Sequence, residues 1–501
     1  MDIIEKDRIK ELLHERAICV VIPTYNNKAT IRQVVEDTLE YCDDVIVVND
    51  GSDDGTLDVL KSIHRITLIS YEKNRGKGYA LKRGFMKALD SGFAYAISMD
   101  ADGQFFAKDI PDFLKANMSH PGALIIGSRI FNDAERTGGS KFANVFSNFW
   151  FYVQTGRKLT DTQTGFRLYP LRKLSGLSLL TSRYEAELEL LVFASWHGVE
   201  IVPIPVDVYY PPIDERVTHF RPVADFARIS LLNTALCLLA IVYGLPLRMF
   251  RFLAKWARTV YSALFFAFFA LVIFTPWVWV VTHVGKMDER KRRHLHWLIY
   301  RASRFVMIHH GVPGTKFRYK VADGVAFDKP RVIICNHQSH FDLVCQLVFT
   351  PDIVFLTNDW VWNNPFYGTL IRSAEYLHVK DGIDALLPHL SSLVERGYSI
   401  AVFPEGTRSA DCKIGRFHKG AFYIAGKLGL EVLPMYLYGT GKVLRKHTHW
   451  LNKGIMYIEV GKPVSQEELK EMGGVREQTS AMRKHYLKKY ESISNKIEQY
   501  V

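Results

Sequence analysis

The sequence lacks the features that mark a secreted protein or a cysteine-bound metal site. Its cysteines form no CxxC pair and no paired spacing: Cys19, Cys42, Cys237, Cys335, Cys345 and Cys412. Isolated thiols of this kind are typical of buried apolar positions in a reducing compartment, so neither a disulfide framework nor a zinc site is expected. An apolar signal core is also missing, because residues 1–17 are charged and amphipathic. The first domain is therefore expected to stay in the cytoplasm.

Charge is absent from one long stretch in the middle of the chain. Residues 259–285 contain no Asp, Glu, Lys or Arg and are strongly apolar. About 20 such residues are enough to span a bilayer core. Basic residues flank the stretch on both sides: Arg248, Arg251, Lys255 and Arg258 before it, and Lys286, Arg290, Lys291, Arg292 and Arg293 after it. Such clusters favour anionic lipid headgroups, so the stretch is predicted to be a membrane anchor.

Two topologies of this anchor agree with the sequence. A shorter apolar run at 229–243 could pair with 259–285 as a hairpin of two spans. Alternatively, the long run enters the membrane and returns, with Thr275–Pro276 as its bend. Basic residues on both sides of the long run favour a same-side arrangement. Both flanking domains are therefore expected on the cytoplasmic face of the inner membrane.

Length, composition and charge narrow the class of protein. A chain of 501 residues predicts more than one domain. Hydrophobic content of 48% with 23% charged residues is typical of globular proteins and excludes wholesale disorder and a many-helix transporter. The net charge of +12 is concentrated around the apolar stretch, and no nucleic-acid recognition module accompanies it. Nucleic acid is therefore not expected as a partner.

Short β-rich runs alternate with helical stretches from residue 17 onwards. This alternation predicts an α/β domain with a parallel sheet covered by helices. Ligands of such sheets bind beyond the carboxyl ends of the strands. Four of these ends carry polar or glycine-rich loops, at 23–26, 49–56, 74–78 and 100–104. The loops are expected to meet at one edge of the sheet.

One of these loops offers oxygen ligands for a metal. Asp100, Asp102 and Gln104 alternate along the chain and present two carboxylates and an amide oxygen. Hard oxygen ligands of this kind suit Mg²⁺ or Mn²⁺, which can neutralise a diphosphate. A D-x-D triplet alone is common in solvated turns. Three further polar or glycine-rich loops are expected at the same edge of the sheet, which favours a metal site here.

These loops resemble glycosyltransferase family two, and within it the polyprenyl-phosphate mannosyl- and glucosyltransferases. The resemblance covers about 17–225 and is carried by VVIPTYNN, VNDGSDDGT, NRGKGYALKRG, MDADGQF, GSR and DTQTGFRLYP. It implies a nucleotide-diphosphosugar transferase (GT-A) fold, a nucleotide-sugar donor, a lipid or polyprenyl-phosphate acceptor, a metal on Asp100, Asp102 and Gln104, and a catalytic part for Asp102. It also implies that the donor is held by Pro23, Thr24, Tyr25, Asp50, Ser52, Lys77, Asp100, Arg129 and Arg167.

The catalytic base of this domain stays open. The segment at 182–187 departs from the family pattern, which often has an Arg-Trp and an acidic pair. Asp161 and Glu187 are the candidates, although an ionised lipid phosphate needs no base. Arg221 either meets the acceptor phosphate or belongs to an ordinary turn.

A second strand–helix alternation begins at Arg331. At its head stands NHQSHFD, in which Asp342 can reach back to one ring nitrogen of His337 and make it a general base for an alcohol. The second motif is FPEGTRS, which follows a strand directly. Its glycine turn and Arg408 can bind an anion.

The two motifs are similar to those of the glycerolipid acyltransferases typified by 1-acylglycerol-3-phosphate acyltransferase. NHQSHFD, NPFYG, FPEGTRS, FHKGA and EVLPMYL carry the resemblance over about 305–465. It implies catalysis by His337 and Asp342, a donor thioester on acyl carrier protein or coenzyme A, no metal, and an acceptor anion on Glu405, Gly406, Thr407 and Arg408. The block at 375–380 lacks the usual arginine, which weakens lysophosphatidic acid as the specific acceptor. Residues 465–501 are predicted to form an amphipathic helix that packs on this domain.

The sequence thus predicts a glycosyltransferase domain at 1–228, an anchor at 229–304 and an acyltransferase domain at 305–501. The predicted function is a bifunctional membrane transferase that moves a sugar to a lipid acceptor and an acyl chain to a hydroxyl of a lipid or glycolipid. The alternative is that one domain is catalytic and the other holds substrate. A non-enzymatic scaffold would have no need of Asp102 and His337.

Overall fold

Each half of the chain folds around its own seven-stranded sheet. The computed structural model describes residues 3–130, 138–177, 181–209, 222–310, 312–357, 359–363, 368–380 and 382–498. The chain divides into two units, Met1–Arg251 and Phe252–Val501. The predicted anchor at 229–304 is shared between them.

The sheet of the first unit has the order β3-β2-β1-β4-β6-β5-β7. Its strands are β1 Ile18–Thr24, β2 Val45–Asp50, β3 Thr67–Tyr71, β4 Tyr95–Ser98, β5 Leu124–Arg129, β6 Arg167–Pro170 and β7 Ile201–Val206. The neighbours β3, β2, β1 and β4 run parallel, as predicted, and β5 is parallel to β7. β6 is antiparallel to both β4 and β5, which the sequence did not predict.

Helices cover both faces of this sheet because its central strand is apolar on both sides. Ile18, Val20 and Ile22 of β1 belong to one core, and Cys19 and Val21 belong to the other, as the two-residue period of a strand requires. The helices are α1 Ile3–Glu15, α2 Ile31–Leu39, α3 Thr56–Lys61, α4 Lys77–Asp90, α5 Ile110–Ser119, α6 Gly138–Thr155, α7 Leu171–Leu174 and α8 Glu185–Trp196.

Close packing of α4 on the segment that leads into α8 brings two predicted site residues together. A Cβ atom on Gly78 would lie 2.4 Å from the Cβ of Ala186, so only glycine fits at this point of α4. Lys77 precedes Gly78 and Glu187 follows Ala186. The glycine therefore sets the distance between a lysine and a carboxylate.

The centre of the chain is helical without interruption. α9 Pro222–Leu239, a π turn at Ala240–Gly244, α10 Leu245–Phe268, a second π turn at Phe269–Phe274 and α11 Thr275–His283 follow one another directly. The helical stretch Ala227–His283 is long and apolar enough to cross a membrane, judged by its length and composition, and few of its side chains are buried.

The predicted return at Thr275–Pro276 is wrong. Thr275 has helical backbone angles (φ −64°, ψ −45°), and the helix continues through Pro276. The π turn before Pro276 accounts for this, since such turns interrupt the regular hydrogen-bond ladder that a proline would otherwise break. Residues Ala227–His283 form one continuous helical stretch, so no turn separates the apolar run at 229–243 from the one that begins at Thr259, and the two do not form a hairpin.

The sheet of the second unit has the order β11-β10-β12-β9-β13-β14-β8. Its strands are β8 Thr315–Val321, β9 Val332–Cys335, β10 Ile353–Thr357, β11 Leu377–His378, β12 Ser399–Val402, β13 Val432–Tyr438 and β14 Gly454–Val460. All neighbours are parallel except β13 and β14. β9 and β12 lie side by side, so the two motifs that follow them leave the same edge.

Helices α12 to α20 enclose this second sheet. They are α12 Glu289–Arg304, α13 Phe341–Gln346, α14 Asp359–Trp362, α15 Gly368–Ser373, α16 Ile383–Glu395, α17 Gly420–Leu428, α18 Thr440–Val443, α19 Gln466–Glu471 and α20 Val475–Glu498, with a π turn at Phe305–His310 after α12. α20 packs on the core through Met482, Tyr486 and Ile493, which are all buried. The predicted packing of the C-terminal segment is confirmed, but the segment forms two helices, α19 and α20, with Gly473 and Gly474 between them.

Candidate active sites

The loop after β3 is tied to the end of β2 by Asp50. Its carboxylate accepts backbone N–H bonds from Arg75 and Gly76, both of 2.8 Å, and its side chain is buried. Gly51 has φ +71°, and a Cβ there would lie 2.7 Å from the nitrogen of Asn74. Asp50 therefore fixes the start of α4, where Lys77 stands.

Lys77 lies between two carboxylates at the centre of the first unit. Its Nζ is 2.6 Å from Asp100 Oδ1 and 2.8 Å from Glu187 Oε2. Burial alone would lower the pKa of Lys77, but the charges of Asp100 and Glu187 overcome it and raise that pKa. The loops after β3 and β4 and the start of α8 are thus joined by one buried cation.

The predicted metal ligands carry more negative charge than this lysine balances. Burial, and next the charge of Asp100, raise the pKa of Asp102 to about 6. Asp102 Oδ1 accepts the N–H of Gln104 at 3.0 Å. A Cβ on Gly165 would lie 2.3 Å from Asp100 Oδ2, so this glycine makes room for the carboxylate. Two neighbouring carboxylates fit a divalent cation, whose charge would offset their repulsion. In the described part of the chain, no cluster of three or more His, Cys, Asp or Glu side chains could hold a metal.

Arg129 is oriented by Asp161 through a two-pronged ion pair. Arg129 Nε donates to Asp161 Oδ2 at 2.6 Å and Nη2 donates to Oδ1 at 2.9 Å. Asp161 is buried and also accepts from Asn144 Nδ2 at 2.8 Å. With both oxygens engaged, Asp161 positions Arg129 and is poorly placed to act as a base.

Arg167 is placed away from the site surface. Its side chain is fully buried, and its terminal nitrogens donate to the carbonyl oxygens of Glu187 at 2.9 Å and Thr162 at 2.8 Å. It joins the loop before β6 to the start of α8. This geometry supports bracing of the site and gives no support to the expected phosphate contact.

The loops after β1 and β2 are joined by Ser52, a predicted site residue, and by Asn26, which was not predicted to belong to the site. Pro23 and Thr24 are buried at the end of β1, and Tyr25 follows them half-buried. Asn26 has φ +53° and donates its N–H to Ser52 Oγ at 3.0 Å. Asparagine adopts this left-handed conformation more readily than most residues. An asparagine in a loop at a strand end is therefore the sequence feature that could have indicated this turn.

A cavity of about 650 Å³ opens beside the acidic loop. Asp102 and Gln104 line one side of it, and Asn27, Thr30 and Tyr209 are among its other walls. Its size suits a small ligand. The wall from the start of α2 was not predicted, because no charged motif marks it.

His337 and Asp342 form the predicted pair in the second unit. Asp342 Oδ2 lies 2.8 Å from His337 Nδ1 and also accepts the N–H groups of Gln338 at 2.5 Å and Ser339 at 2.8 Å. Since a carboxylate only accepts, Nδ1 carries the proton and Nε2 is left as the basic nitrogen. The ring stacks on Phe403 with centroids 4.0 Å apart, which fixes its plane.

Glu405 of the second motif holds the first motif in place. Its Oε1 accepts the N–H of His337 at 2.9 Å, and its Oε2 accepts the N–H of Gly415 at 2.8 Å. Burial raises the pKa of Glu405. The N–H of Ser409 in turn donates to the carbonyl of His337 at 2.8 Å. Glu405 therefore positions the histidine loop. Of the four predicted acceptor-binding residues, Gly406, Thr407 and Arg408 remain candidates for contact with the acceptor.

Those residues form an exposed turn with a basic neighbour. Gly406 has φ +66°, Thr407 is exposed and Arg408 is half-buried. Lys446 Nζ donates to the carbonyl of Arg408 at 2.9 Å and lies 3.3 Å from Thr407 Oγ1. Lys446 belongs to neither of the two motifs, so it could not be predicted from them.

The two halves of the chain match two different families. A profile described as "Glycosyl transferase family 2" matches residues 19–174, and one described as "Acyltransferase" matches residues 316–438. The chain joins a family 2 glycosyl transferase domain to an acyltransferase domain.

Individual relatives divide in the same way. The glycosyl transferase domain is 29% identical over 218 residues to a UDP-N-acetylglucosamine–dolichyl-phosphate N-acetylglucosaminyltransferase of Methanococcus voltae, covering 39% of this chain and 87% of that protein. The acyltransferase domain is 33% identical over 143 residues to a chloroplastic 1-acyl-sn-glycerol-3-phosphate acyltransferase of Arabidopsis thaliana, covering 27% of this chain but only 40% of that protein. A crystal structure of the 1-acyl-sn-glycerophosphate acyltransferase of Thermotoga maritima aligns with 22% identity and a TM-score of 0.41, over 49% of this chain and 98% of that one.

The C-terminal helix of the acyltransferase domain lies beyond the matched residues and contacts the first motif and the loop that follows the second. Gln338 Nε2 donates to Tyr490 Oη at 2.7 Å and to the carbonyl of Cys412 at 2.8 Å. Arg483 Nε donates to the carbonyl of Gly415 at 2.7 Å. α20 is therefore a brace for the catalytic loops, a role that its composition did not indicate.

Two predicted elements fall outside the described residues. They are Arg221 and residues 364–367, which make up most of the NPFYG motif. Lys380, in the block that lacks the family arginine, is exposed.

Proposed function

We propose that this chain is a bifunctional membrane-associated transferase with two working active sites. The glycosyl transferase domain moves a sugar from a nucleotide-sugar donor to a lipid or polyprenyl phosphate. The acyltransferase domain moves an acyl chain from a thioester to a hydroxyl of a lipid or glycolipid. The main support is that the central contact of each site is intact, the ion pair of Lys77 with Asp100 and the hydrogen bond from His337 to Asp342.

For sugar transfer, Asp100, Asp102 and Gln104 would hold Mg²⁺ or Mn²⁺. When bound, the cation would neutralise the charge that develops on the departing diphosphate. Lys77 holds Asp100 in place from the protein side, and Arg129, oriented by Asp161, supplies a second positive charge. Pro23, Thr24, Tyr25 and Ser52 lie on the loops that we propose contact the nucleotide.

A phosphate acceptor agrees with the state of the carboxylates. Asp161 is held by Arg129 and Glu187 is held by Lys77, so neither is poised to take a proton. An ionised lipid phosphate attacks without a base. Among relatives, the Methanococcus voltae enzyme is named for a dolichyl-phosphate acceptor, and we propose an acceptor of this kind.

For acyl transfer, His337 Nε2 takes the proton of the acceptor hydroxyl while the hydroxyl oxygen attacks the thioester carbonyl carbon. Asp342 stabilises the imidazolium that forms. Collapse of the tetrahedral intermediate breaks the carbon–sulfur bond, and the thiolate recovers the proton from His337. Gly406, Thr407 and Arg408 bind an anion of the acceptor, and the donor is acyl carrier protein or acyl-CoA. No metal takes part in this scheme.

The central helix is proposed to attach both domains to the membrane. We assign residues 1–228 to the glycosyl transferase domain, 229–304 to the anchor and 305–501 to the acyltransferase domain. Both domains are proposed to lie on the cytoplasmic face of the inner membrane. Because Ala227–His283 is one continuous helix, domains on the same face require this helix to lie along the membrane interface. Protection of engineered cysteines in the two domains from a membrane-impermeant thiol reagent would test this arrangement.

Lipid mass spectrometry of cells that make wild type, Asp102→Ala or His337→Ala protein tests the function. We expect wild type to produce a lipid that carries both a hexose-type unit and an added acyl chain. Loss of only the acyl chain in His337→Ala would place sugar transfer first, and a sugar-free acylated lipid in Asp102→Ala would place it second. The exposed residues Asp90 and His64, changed to alanine, are matched controls.

The same experiment tests the alternative that one domain only holds substrate. In that case one of the two site variants would leave the lipid profile of wild type unchanged. Two unrelated products, each lost in one variant, would show that the domains are tethered without a shared pathway.

A further inference from the structure

A basic loop connects the anion-binding turn of the acyltransferase domain to helix α10. Residues 442–453 contain Lys442, Arg445, Lys446 and Lys453 together with two histidines, and they contain no Asp or Glu. The loop begins inside α18 and ends just before β14. None of its residues belongs to the matched acyltransferase profile, which ends at 438.

The first half of this loop reaches the turn Gly406–Arg408, which is proposed above to bind an anion of the acceptor and is called the anion-binding turn. Lys446 Nζ donates to the carbonyl of Arg408 at 2.9 Å, so the ammonium group is fixed beside the turn. Lys446 is half-buried, whereas Arg445 and His447 on either side are exposed. A basic surface therefore continues outward from Arg408.

The other end rests on the helix that carries the charge-free run. The N–H of Leu451 donates to Thr259 Oγ1 at 3.1 Å, and Arg258 Nη1 donates to the carbonyl of Leu451 at 3.4 Å. The ring of Trp450 lies 6.1 Å from that of Phe252. Thr259 is the first residue of the charge-free run, so the loop is seated where that run begins.

The exposed side chains of the loop suit a lipid surface better than a protein. Trp450 is 40% exposed, and tryptophan is enriched at the headgroup level of membranes. Arg445, His449 and Lys453 are exposed around it. Cationic side chains beside an aromatic residue and an apolar helix match the layering of anionic headgroups over hydrocarbon.

We propose that loop 442–453 docks on an anionic lipid surface and passes the anionic headgroup of the acyl acceptor to Arg408. The proposal rests on the acyltransferase activity proposed above. In it, Arg445 and Lys453 collect the headgroup at the membrane, and Lys446 stands between them and the turn. The site at His337 is thereby open to acceptors that remain in the bilayer.

The test compares two charge reversals in the full-length protein. Arg445→Glu/Lys453→Glu alters the loop, and Lys484→Glu/Lys488→Glu makes the same change of charge on the exposed face of α20. Flotation measures binding to vesicles of phosphatidylcholine, alone or mixed with phosphatidylglycerol. Acyl transfer is measured with long-chain lysophosphatidic acid in those vesicles and with a short-chain form in free solution.

We expect the loop variant to lose the preference for anionic vesicles and to raise the KM for the vesicle-bound acceptor about tenfold. Its kcat and KM for the soluble acceptor should equal those of wild type, and the α20 variant should behave as wild type throughout. Equal losses in both variants, or a loss with the soluble acceptor, would overturn the proposal. So would a loss that appears with acyl carrier protein as donor but not with acyl-CoA, because the loop would then dock the carrier. A wild type that binds anionic vesicles but acylates neither acceptor would instead refute acyl transfer to lysophosphatidic acid, the form of the proposed activity on which this test rests.

Discussion

Lys77 and Asp100 are joined by an ion pair of 2.6 Å in which the lysine is also 2.8 Å from Glu187. The three residues come from separate parts of the sequence, the start of α4, the loop after β4 and α8. The lysine therefore holds in place the acidic loop that, in the proposed function, would carry the metal. Its removal should affect both stability and activity.

We predict that Lys77→Met destabilises the glycosyl transferase domain by about 3 kcal/mol, because removal of one partner leaves buried charges unpaired. Sugar transfer should fall on the order of 100-fold or more, while acyl transfer should persist. Chemical denaturation and separate assays of the two activities measure this.

A second substitution separates charge from shape. Lys77→Met/Glu187→Gln removes one of the stranded carboxylates, so it should recover part of the lost stability without recovering activity. If the double variant is less stable than the single one by the full cost of Glu187→Gln alone, the two residues are not coupled and the argument fails.

Metal removal should divide the two activities. A chelator is expected to abolish sugar transfer and to leave acyl transfer unchanged, because the proposed metal ligands Asp100, Asp102 and Gln104 belong to the glycosyl transferase domain and the proposed acyl transfer uses no metal. Binding of Mn²⁺, followed by its electron paramagnetic resonance signal, should be present in wild type and weakened at least about tenfold in Asp102→Asn. Unchanged Mn²⁺ binding in this variant would place the metal elsewhere.

The sequence predicted the two α/β domains and their loops because strand ends in a parallel sheet meet at one edge. Asp100, Lys77, His337 and Asp342 all lie where that rule puts them. Strand β6 was missed, since its antiparallel direction depends on pairing with β4 and β5 and leaves no mark in its own four residues.

Side-chain roles were harder to predict than positions. Arg167 and Glu405 belong to motifs that suggest ligand contact, yet their partners are backbone groups of the protein. A motif shows which residue types are needed together, but whether a charge faces a ligand or a neighbouring loop depends on packing. The bend considered at Thr275–Pro276 is absent because a π turn before the proline accommodates it. This backbone adjustment could not be predicted from the residue types.

Tyr490→Phe should lower acyl transfer through the histidine loop. The phenol oxygen of Tyr490 accepts a hydrogen bond of 2.7 Å from the side chain of Gln338, the residue after His337. We therefore expect Tyr490 to act through the histidine loop and not through contact with substrate. We expect kcat to fall about tenfold with KM unchanged, since loss of one hydrogen bond to the loop misplaces the base. Leu487→Ala on the exposed side of α20 is the control, and a change confined to KM would contradict the positioning role.

His296, in α12, should make the stability of the unit Phe252–Val501 depend on pH. Burial lowers its pKa to about 4, although its ring nitrogens lie 3.1 Å and 2.9 Å from the carbonyl oxygens of Pro351 and Ala374, contacts that favour the charged form. The folded state thus binds this proton less readily than the unfolded chain, whose histidine titrates near 6.5. Its stabilising contribution is complete above that pH and is lost as pH falls toward 4, by about 3 kcal/mol in all. His296→Gln cannot titrate, so its stability should fall less than that of wild type when denaturation is compared at pH 7 and pH 4.5. Parallel losses in the two proteins would assign the acid sensitivity to other groups, such as Glu289, whose charge also acts on His296.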